Sequence, residues 1–355
     1  MKAAVIGMPQ SGKSTVFAAV TGLDMPPEGV PREHLGVVHV PEPRLGFLAE
    51  LYKPKRVVEP TMEFVDVPGC SLSDAHGQEE FRKHLPAIRQ ADLLVAVVRD
   101  FQDPNVPAYR DRVDPAADLT ELWEECLFAD LDAVTTRIQK IEKALTKPTK
   151  THDHDKRELA LLIRCREGLE SEQPISAIIQ TPDETQLVSS FGLLTEKPVV
   201  VVYNVSEDRA AEPPPATPPH SQAAISLSAK TEAEIAQLDP DDRPAFLADL
   251  GLEAPARDRL IQVCFEALGL IVFLTVSGKD EIRAWAIGKG ATALEAAGKV
   301  HSDMARGFIR AETVAYGDLV EAGDVRGAKA SGKVRQEGKT YIVQDGDVIT
   351  IKFNV

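Results

Sequence analysis

Five stretches of the chain are apolar enough to serve as strands inside a sheet covered on both faces: Ala3–Ile6, Thr61–Val65, Ala91–Val98, the run VVVVY ending at Tyr203, and Ala224–Leu227. Polar sequence separates them, which predicts an α/β sheet with helices on its faces. Between the third and fourth stretches the period changes. Leu127, Leu131, Val134, Ile138, Ile141 and Leu145 recur at alternating steps of four and three, the spacing of a coiled-coil seam, and Leu159, Leu162 and Leu169 mark one face of a second helix. The polar KPTKTHDHDKR between them predicts an exposed tip, so the pair reads as an antiparallel helical hairpin inserted into the sheet domain. From Ile271 the pattern changes again. VFLTV, EIRAWAI, a helical ALEAAGKVHSDMARGF and a closing YIVQDGDVITIKF with a turn at Asp345, Gly346 and Asp347 predict a small mixed sheet of its own. The expected division is 1–115 and 196–269 for the sheet domain, 116–195 for the hairpin and 270–355 for the C-terminal domain.

Chemistry enters where the first strand opens into GMPQSGKST. Gly7, Gly12, Lys13 and Ser14 stand at the GxxxxGKS spacing of a phosphate-binding loop. The glycines let the backbone of Pro9, Gln10, Ser11 and Gly12 curl into a nest whose donors are the N–H groups of the three residues after the proline. Lys13 reaches the outer phosphates, the Ser14 hydroxyl ligates Mg2+, and Thr15 opens a helix whose positive end faces the phosphates. The strand ending in Asp66-Val-Pro-Gly69 supplies a carboxylate for the Mg2+ shell and a glycine N–H for the γ-phosphate. Lys13, Asp66 and Gly69 are thus the expected catalytic residues.

Three departures stand out. Gly22–Pro60 contains no serine or threonine, so the hydroxyl that nucleotide switches usually add to the metal shell is missing. Cys70 stands where many switches place a glutamine that orients water, and it reads as a small packed hydrophobe. His76, Gln78, Glu79 and Glu80 are further water-positioning candidates in a segment where solvated side chains are the default. On the base side, Asn204 and Glu207 occupy the place of an NKxD guanine-reading motif, with Val205 for the lysine. The longer Glu207 side chain weakens guanine recognition and admits adenine. Ser228, Ala229 and Lys230 form a turn whose N–H groups face the base.

Other polar features read as structural. His152 and His154 in the hairpin tip read as solvated, EPPPATPPHS as a stiff linker without chemistry, and His301 as structural. The net charge of -15 argues against a protein that coats nucleic acid over its whole surface. From Leu270 to Val355, 12 Lys and Arg face 11 Asp and Glu, so that module is nearly neutral and permits an approach to a polyanion. Cys70, Cys126, Cys165 and Cys264 form no CxxC pair, which predicts reduced thiols. No leader segment or membrane-spanning run is expected, and the expected location is the cytoplasm.

These residues resemble the Obg-like ATPase (YchF) family over nearly the full length, through GMPQSGKST, MEFVDVPG, the hairpin insertion, NVSE, SAKTEAEIAQL and the C-terminal AAGKVHSDMARGFIRAETV with YIVQDGDVITIKFNV. The resemblance implies a Ras-like P-loop nucleotide-binding domain interrupted by a coiled coil and followed by a β-grasp (TGS) domain. It implies a preference for ATP over GTP through Asn204 and Glu207, Mg2+ as cofactor, and association with ribosomes or RNA through the hairpin and the TGS domain. The chain departs from the family at Gln10, where Asn is usual. It also lacks the switch I Thr and most of the glycines between Cys70 and Phe81. The expectation is a divergent member with slow hydrolysis, the alternatives being a GTP-hydrolysing switch and a nucleotide-bound interaction module with vestigial hydrolysis.

Overall fold

The apolar runs become strands because both their faces are covered. In the computed structural model, which describes residues 1–24, 33–146, 152–239, 241–252 and 254–354, they are β1 (Lys2–Ile6), β2 (His34–His39), β3 (Arg56–Val58), β4 (Thr61–Asp66), β5 (Leu93–Asp100), β6 (Val199–Val205) and β7 (Ala223–Leu227). All of these except β3 form a sheet in the order β2-β4-β1-β5-β6-β7. Every residue of β6, and all of β5 but its last, is buried. β1 pairs in parallel with both β4 and β5, β5 with β6, and β6 with β7. Successive strands therefore run to opposite sides of β1, and the crevice at that reversal is where such sheets bind ligands.

The chain divides into two units, Met1–Val38 with Glu63–Ala267, and His39–Met62 with Leu268–Val355. In the first unit the helix Pro115–Leu145 starts at Asp114, whose carboxylate accepts from the Ala117 N–H at 3.0 Å. Its first turns belong to the sheet: Leu122, Cys126 and Ala129 share a core with Ile88 and Leu94. Farther along, Val134, Ile138 and Ile141 pack on Leu161, Leu162, Cys165 and Leu169 of the helix His152–Glu170, as the seam predicts. Residues 147–151 of the predicted tip lie outside the described residues, and His152 and His154 open the second helix rather than the turn.

Two contacts in this unit had no signal in the pattern. The buried Asp130 carboxylate accepts from the N–H groups of Leu194 and Thr195 at 2.9 and 2.8 Å and from the Thr195 hydroxyl at 2.9 Å, which locks the hairpin base to its return segment. The proline-rich linker is anchored as well, because the His220 ring stacks on Trp123 with centroids 5.2 Å apart and planes 3° apart.

The second unit holds β8 (Leu270–Ser277), β9 (Glu281–Gly288), β10 (Phe308–Ala315), β11 (Arg335–Glu337) and β12 (Asp347–Phe353). The sheet order is β11-β10-β12-β8-β9-β3. It is mixed as expected, with β3 parallel to β9, β12 parallel to β8, and the other pairs antiparallel.

The division of the chain differs from the expected one. Residues 39–62, assigned from the pattern to the first domain, belong to this second unit. β3 pairs with β9 from Arg56 opposite Glu281 to Val58 opposite Arg283, and Leu45 and Leu48 of the helix Arg44–Tyr52 are buried. Arg44 pairs with Glu42 at 2.6 Å and with Asp345 at 2.7 Å. A three-residue strand has too little pattern to announce its partner.

Two further details differ. The helical run after β9 is two helices, Ala293–Val300 and Ser302–Arg306. It breaks at His301, whose Nδ1 accepts from the Asp303 N–H at 3.2 Å. In the closing segment only Asp347–Phe353 is a strand, while Ile342 makes a single bridge to Thr292.

Candidate functional site

The loop after β1 has the conformation its glycines predict. Gly12 has φ of 85°, and a side chain there would overlap the Asn204 amide. A side chain at Gly7 would overlap the Val97 carbonyl, so the loop lies tightly on β5 and on the end of β6. Gln10 takes φ of 59°, and Gly12 caps the helix Lys13–Thr21. Successive turns of this kind direct backbone N–H groups into one concavity at a helix N-terminus.

Lys13 opens that helix and is only 6% exposed. Burial pulls its pKa below the ordinary lysine value, opposed by the charges of Asp66 and Cys70. A buried ammonium with no described ion pair favours an incoming anion, because Asp66 offsets the cost of its desolvation only in part. Gly69 abuts it: a side chain there would overlap the Lys13 ammonium and crowd the Pro9 backbone.

Asp66, at the end of β4, is 3% exposed. Burial raises its pKa, opposed by a hydrogen bond from Ser14 and by the charges of Lys13 and His34. Among the described residues, its Oδ1 and the Ser11 hydroxyl are buried without hydrogen-bond partners. A carboxylate with an unsatisfied oxygen beside a serine hydroxyl is an oxygen donor set suited to a hard cation, so these residues fit Mg2+. Lys13, Ser14, Asp66 and Gly69, distant in sequence, thus converge on one rim.

The base side forms beside it. A cavity of about 450 Å³ is lined by Gln10, Gly12, Thr15, Asn204, Glu207 and the Ser228–Lys230 turn, among others. Asn204 is scaffolding as much as wall: its Nδ2 donates to the Ser11 carbonyl at 3.0 Å, and its Oδ1 accepts from the Ala229 N–H at 3.0 Å. Glu207 pairs with Lys230 at 2.9 Å.

The opposite wall was missed in the sequence. Phe101, Gln102, Asp103 and Val106 line the cavity because Arg99, 3% exposed, donates to the carbonyls of Phe101, Val106 and Pro107 at 3.1, 2.9 and 3.2 Å. Its guanidinium also lies 4.4 Å from the Phe101 ring centroid. Also missed was Glu33, which meets His84 Nδ1 at 2.7 Å and ties the chain before β2 to the helix Ala75–Arg89.

Around Gly69 two of the four water-positioning candidates have other occupations. Gln78 donates to the Leu72 carbonyl at 3.3 Å, Glu80 pairs with Lys83, and His76 and Glu79 are exposed. Cys70 is half-buried against the core, and burial raises its thiol pKa, which disfavours the thiolate. Part of the hydroxyl-free stretch, residues 25–32, lies outside the described residues. The four cysteines are free thiols, and no described helix is long and apolar enough to cross a membrane.

Residues 2–204 match a family described as 50S ribosome-binding GTPase, and residues 270–354 match the C-terminal YchF-GTPase family, described as a protein of unknown function. The chain is 39% identical to the ribosome-binding ATPase YchF of Bacillus subtilis over 100% of both chains. It is 34% identical to Obg-like ATPase 1 of rice, covering 100% of this chain and 92% of that one. Among solved structures it is similar to the Schizosaccharomyces pombe YchF GTPase, with a TM-score of 0.80 at 27% identity over 99% of this chain and 97% of that one.

Proposed function

The chain belongs to the YchF family of P-loop nucleotide hydrolases, and from that premise we propose that it binds ATP with Mg2+ and hydrolyses it slowly, as a switch read by the ribosome. The observation that carries this reading is the buried Lys13 ammonium beside Asp66 and Gly69, opening onto a purine-sized cavity. Mg2+ held by Ser14 and Asp66 would neutralise charge on the outer phosphates. The Lys13 ammonium and the loop N–H groups would donate to the β and γ oxygens, where negative charge builds as the bond to the leaving group lengthens. Their burial makes each donor stronger than it would be in water.

Slowness follows from the other side of the site. Burial keeps the Cys70 thiol from ionising readily, and Gln78 and Glu80 are engaged within the chain, so of these candidates only the solvated His76 and Glu79 remain to order the attacking water. Unaided turnover is expected between about 10⁻⁴ and 10⁻² s⁻¹, the range of P-loop switches without outside help. The same observation favours the second reading, a nucleotide-bound interaction module with vestigial hydrolysis.

ATP over GTP rests on Glu207, which is held by Lys230 and longer than the aspartate guanine requires. Calorimetric titration of the nucleotide-free chain with ATP and GTP, with and without Mg2+, followed by turnover on the same sample, tests these readings together. Tight ATP binding with Mg2+-dependent turnover supports the switch, and binding without turnover supports the module. Equal or stronger GTP binding refutes the base preference.

A further inference from the structure

Between the helix Ala75–Arg89 and the base of the hairpin lies a groove of about 550 Å³ that the nucleotide site does not use. Leu72 and Gln78 line its switch side, and Arg110, Glu124, Glu125 and Phe128 are among the residues on its other side. The charges there are unevenly satisfied. Arg110 already pairs with Glu121 at 2.6 Å, and Arg112 with Asp114 and Asp118, each at 3.3 Å. Glu125 is 5% exposed, yet among the described residues its Oε1 accepts no hydrogen bond, and the cation that pairs with it, Arg82 Nε, stands 3.9 Å away, beyond hydrogen-bond reach. Glu124 is exposed, and Phe128, on the same helical face, is 60% exposed.

A buried carboxylate short of a donor, a solvated carboxylate and a bare phenyl ring within about one helical turn suit a particular group. A guanidinium is planar, carries several donors and lies well on an aromatic face. We propose that this groove is the docking site for an arginine side chain presented by a protein partner. Its wall is the helix that follows Gly69, so occupancy there is sensitive to the switch segment. The lining carries three carboxylates against two arginines, both already paired, so a nucleic-acid phosphate would meet net negative charge. The proposal rests on the ribosome reading above for the assembly that supplies the partner.

The test uses the full chain and purified ribosomes. Glu125→Gln removes the charge at constant volume, and Phe128→Ala removes the ring; neither touches the phosphate loop. Both should weaken co-sedimentation with ribosomes by roughly tenfold or more while unstimulated ATP turnover stays at the wild-type value. Phe128→Trp, which keeps a stacking face, should restore binding. p-Benzoylphenylalanine introduced at position 128 should crosslink to a ribosomal protein, giving a product cleared by protease and resistant to ribonuclease. Wild-type affinity in both variants, or a crosslink to RNA, overturns the proposal. A wild-type chain that fails to sediment with ribosomes overturns the ribosome reading and this partner with it, and the wild-type control tells that failure apart from the others.

Discussion

The two sheets of this protein reach completeness by different routes. The first sheet takes all its strands from one unit apart from the ends of β2 and β4, and its rim gathers Lys13 and Ser14 from the helix start after β1 and Asp66 and Gly69 from the end of β4 and the turn beyond it. The mixed sheet takes its edge strand β3, and the buried Leu45 and Leu48, from residues 39–62. The same borrowed segment leads directly into β4, which ends at Asp66. A nucleotide site can therefore be whole within one sheet, while the core of the other depends on a stretch that the nucleotide domain would otherwise keep for itself.

The sharpest separation of the two comes from Lys13→Ala. It should lower kcat/KM for ATP by about a hundredfold or more, on the order of 3 kcal/mol, with circular dichroism and thermal unfolding unchanged. Retained turnover would remove Lys13 from the site. Leu48→Ala reverses the pattern: a fully buried leucine in the second unit should cost about 2–5 kcal/mol on denaturant unfolding, with ATP affinity by calorimetry near wild type. Loss of affinity in step with stability would show that the two sheets do not act separately.

A pH series probes the first sheet's rim. Burial holds Asp66 above the ordinary value of 3.8 and Lys13 below 10.5. On the proposed reading, a protonated Asp66 would not take metal and a neutral Lys13 would not hold phosphate. The kcat/KM should thus fall on acidification sooner than a free aspartate would impose, and on alkalinisation sooner than a free lysine would. Each limb should approach about tenfold per pH unit. On the same reading, bound Mg2+ and phosphate would oppose both shifts, so kcat should keep a wider plateau. Limbs at the free side-chain values would contradict the burial argument. The smallest change expected is His220→Ala, which removes the ring stacked on Trp123 and should cost about 0.5–1 kcal/mol, read as a small drop in Tm with altered Trp123 fluorescence. An unchanged Tm would return the proline-rich stretch to a linker without contacts.

Much of the first sheet was readable in advance. Val199–Tyr203 and Leu93–Val98 are apolar throughout because both faces are covered, and the phosphate loop needs only its own residue types at fixed spacing. The hairpin seam was readable for the same reason, since period alone places Val134, Ile138 and Ile141 on one face. Arg99 was not. A basic residue at the end of an apolar strand looks like the strand's exit to solvent, and its role appears once the carbonyls of Phe101, Val106 and Pro107 fold back around it. Asp130 was equally hidden, one acidic residue among many on a helix until Leu194 and Thr195 return to it.

Local chemistry was enough for the strand runs, the helical seam and the loop that grips phosphate, because each depends on residues close together in the chain. The partner of β3, the wall built by Arg99 and the anchor at Asp130 came from folding alone. Backbone hydrogen bonds between distant segments are the same for any side chains, so nothing in three residues such as Arg56–Val58 names the strand they will join.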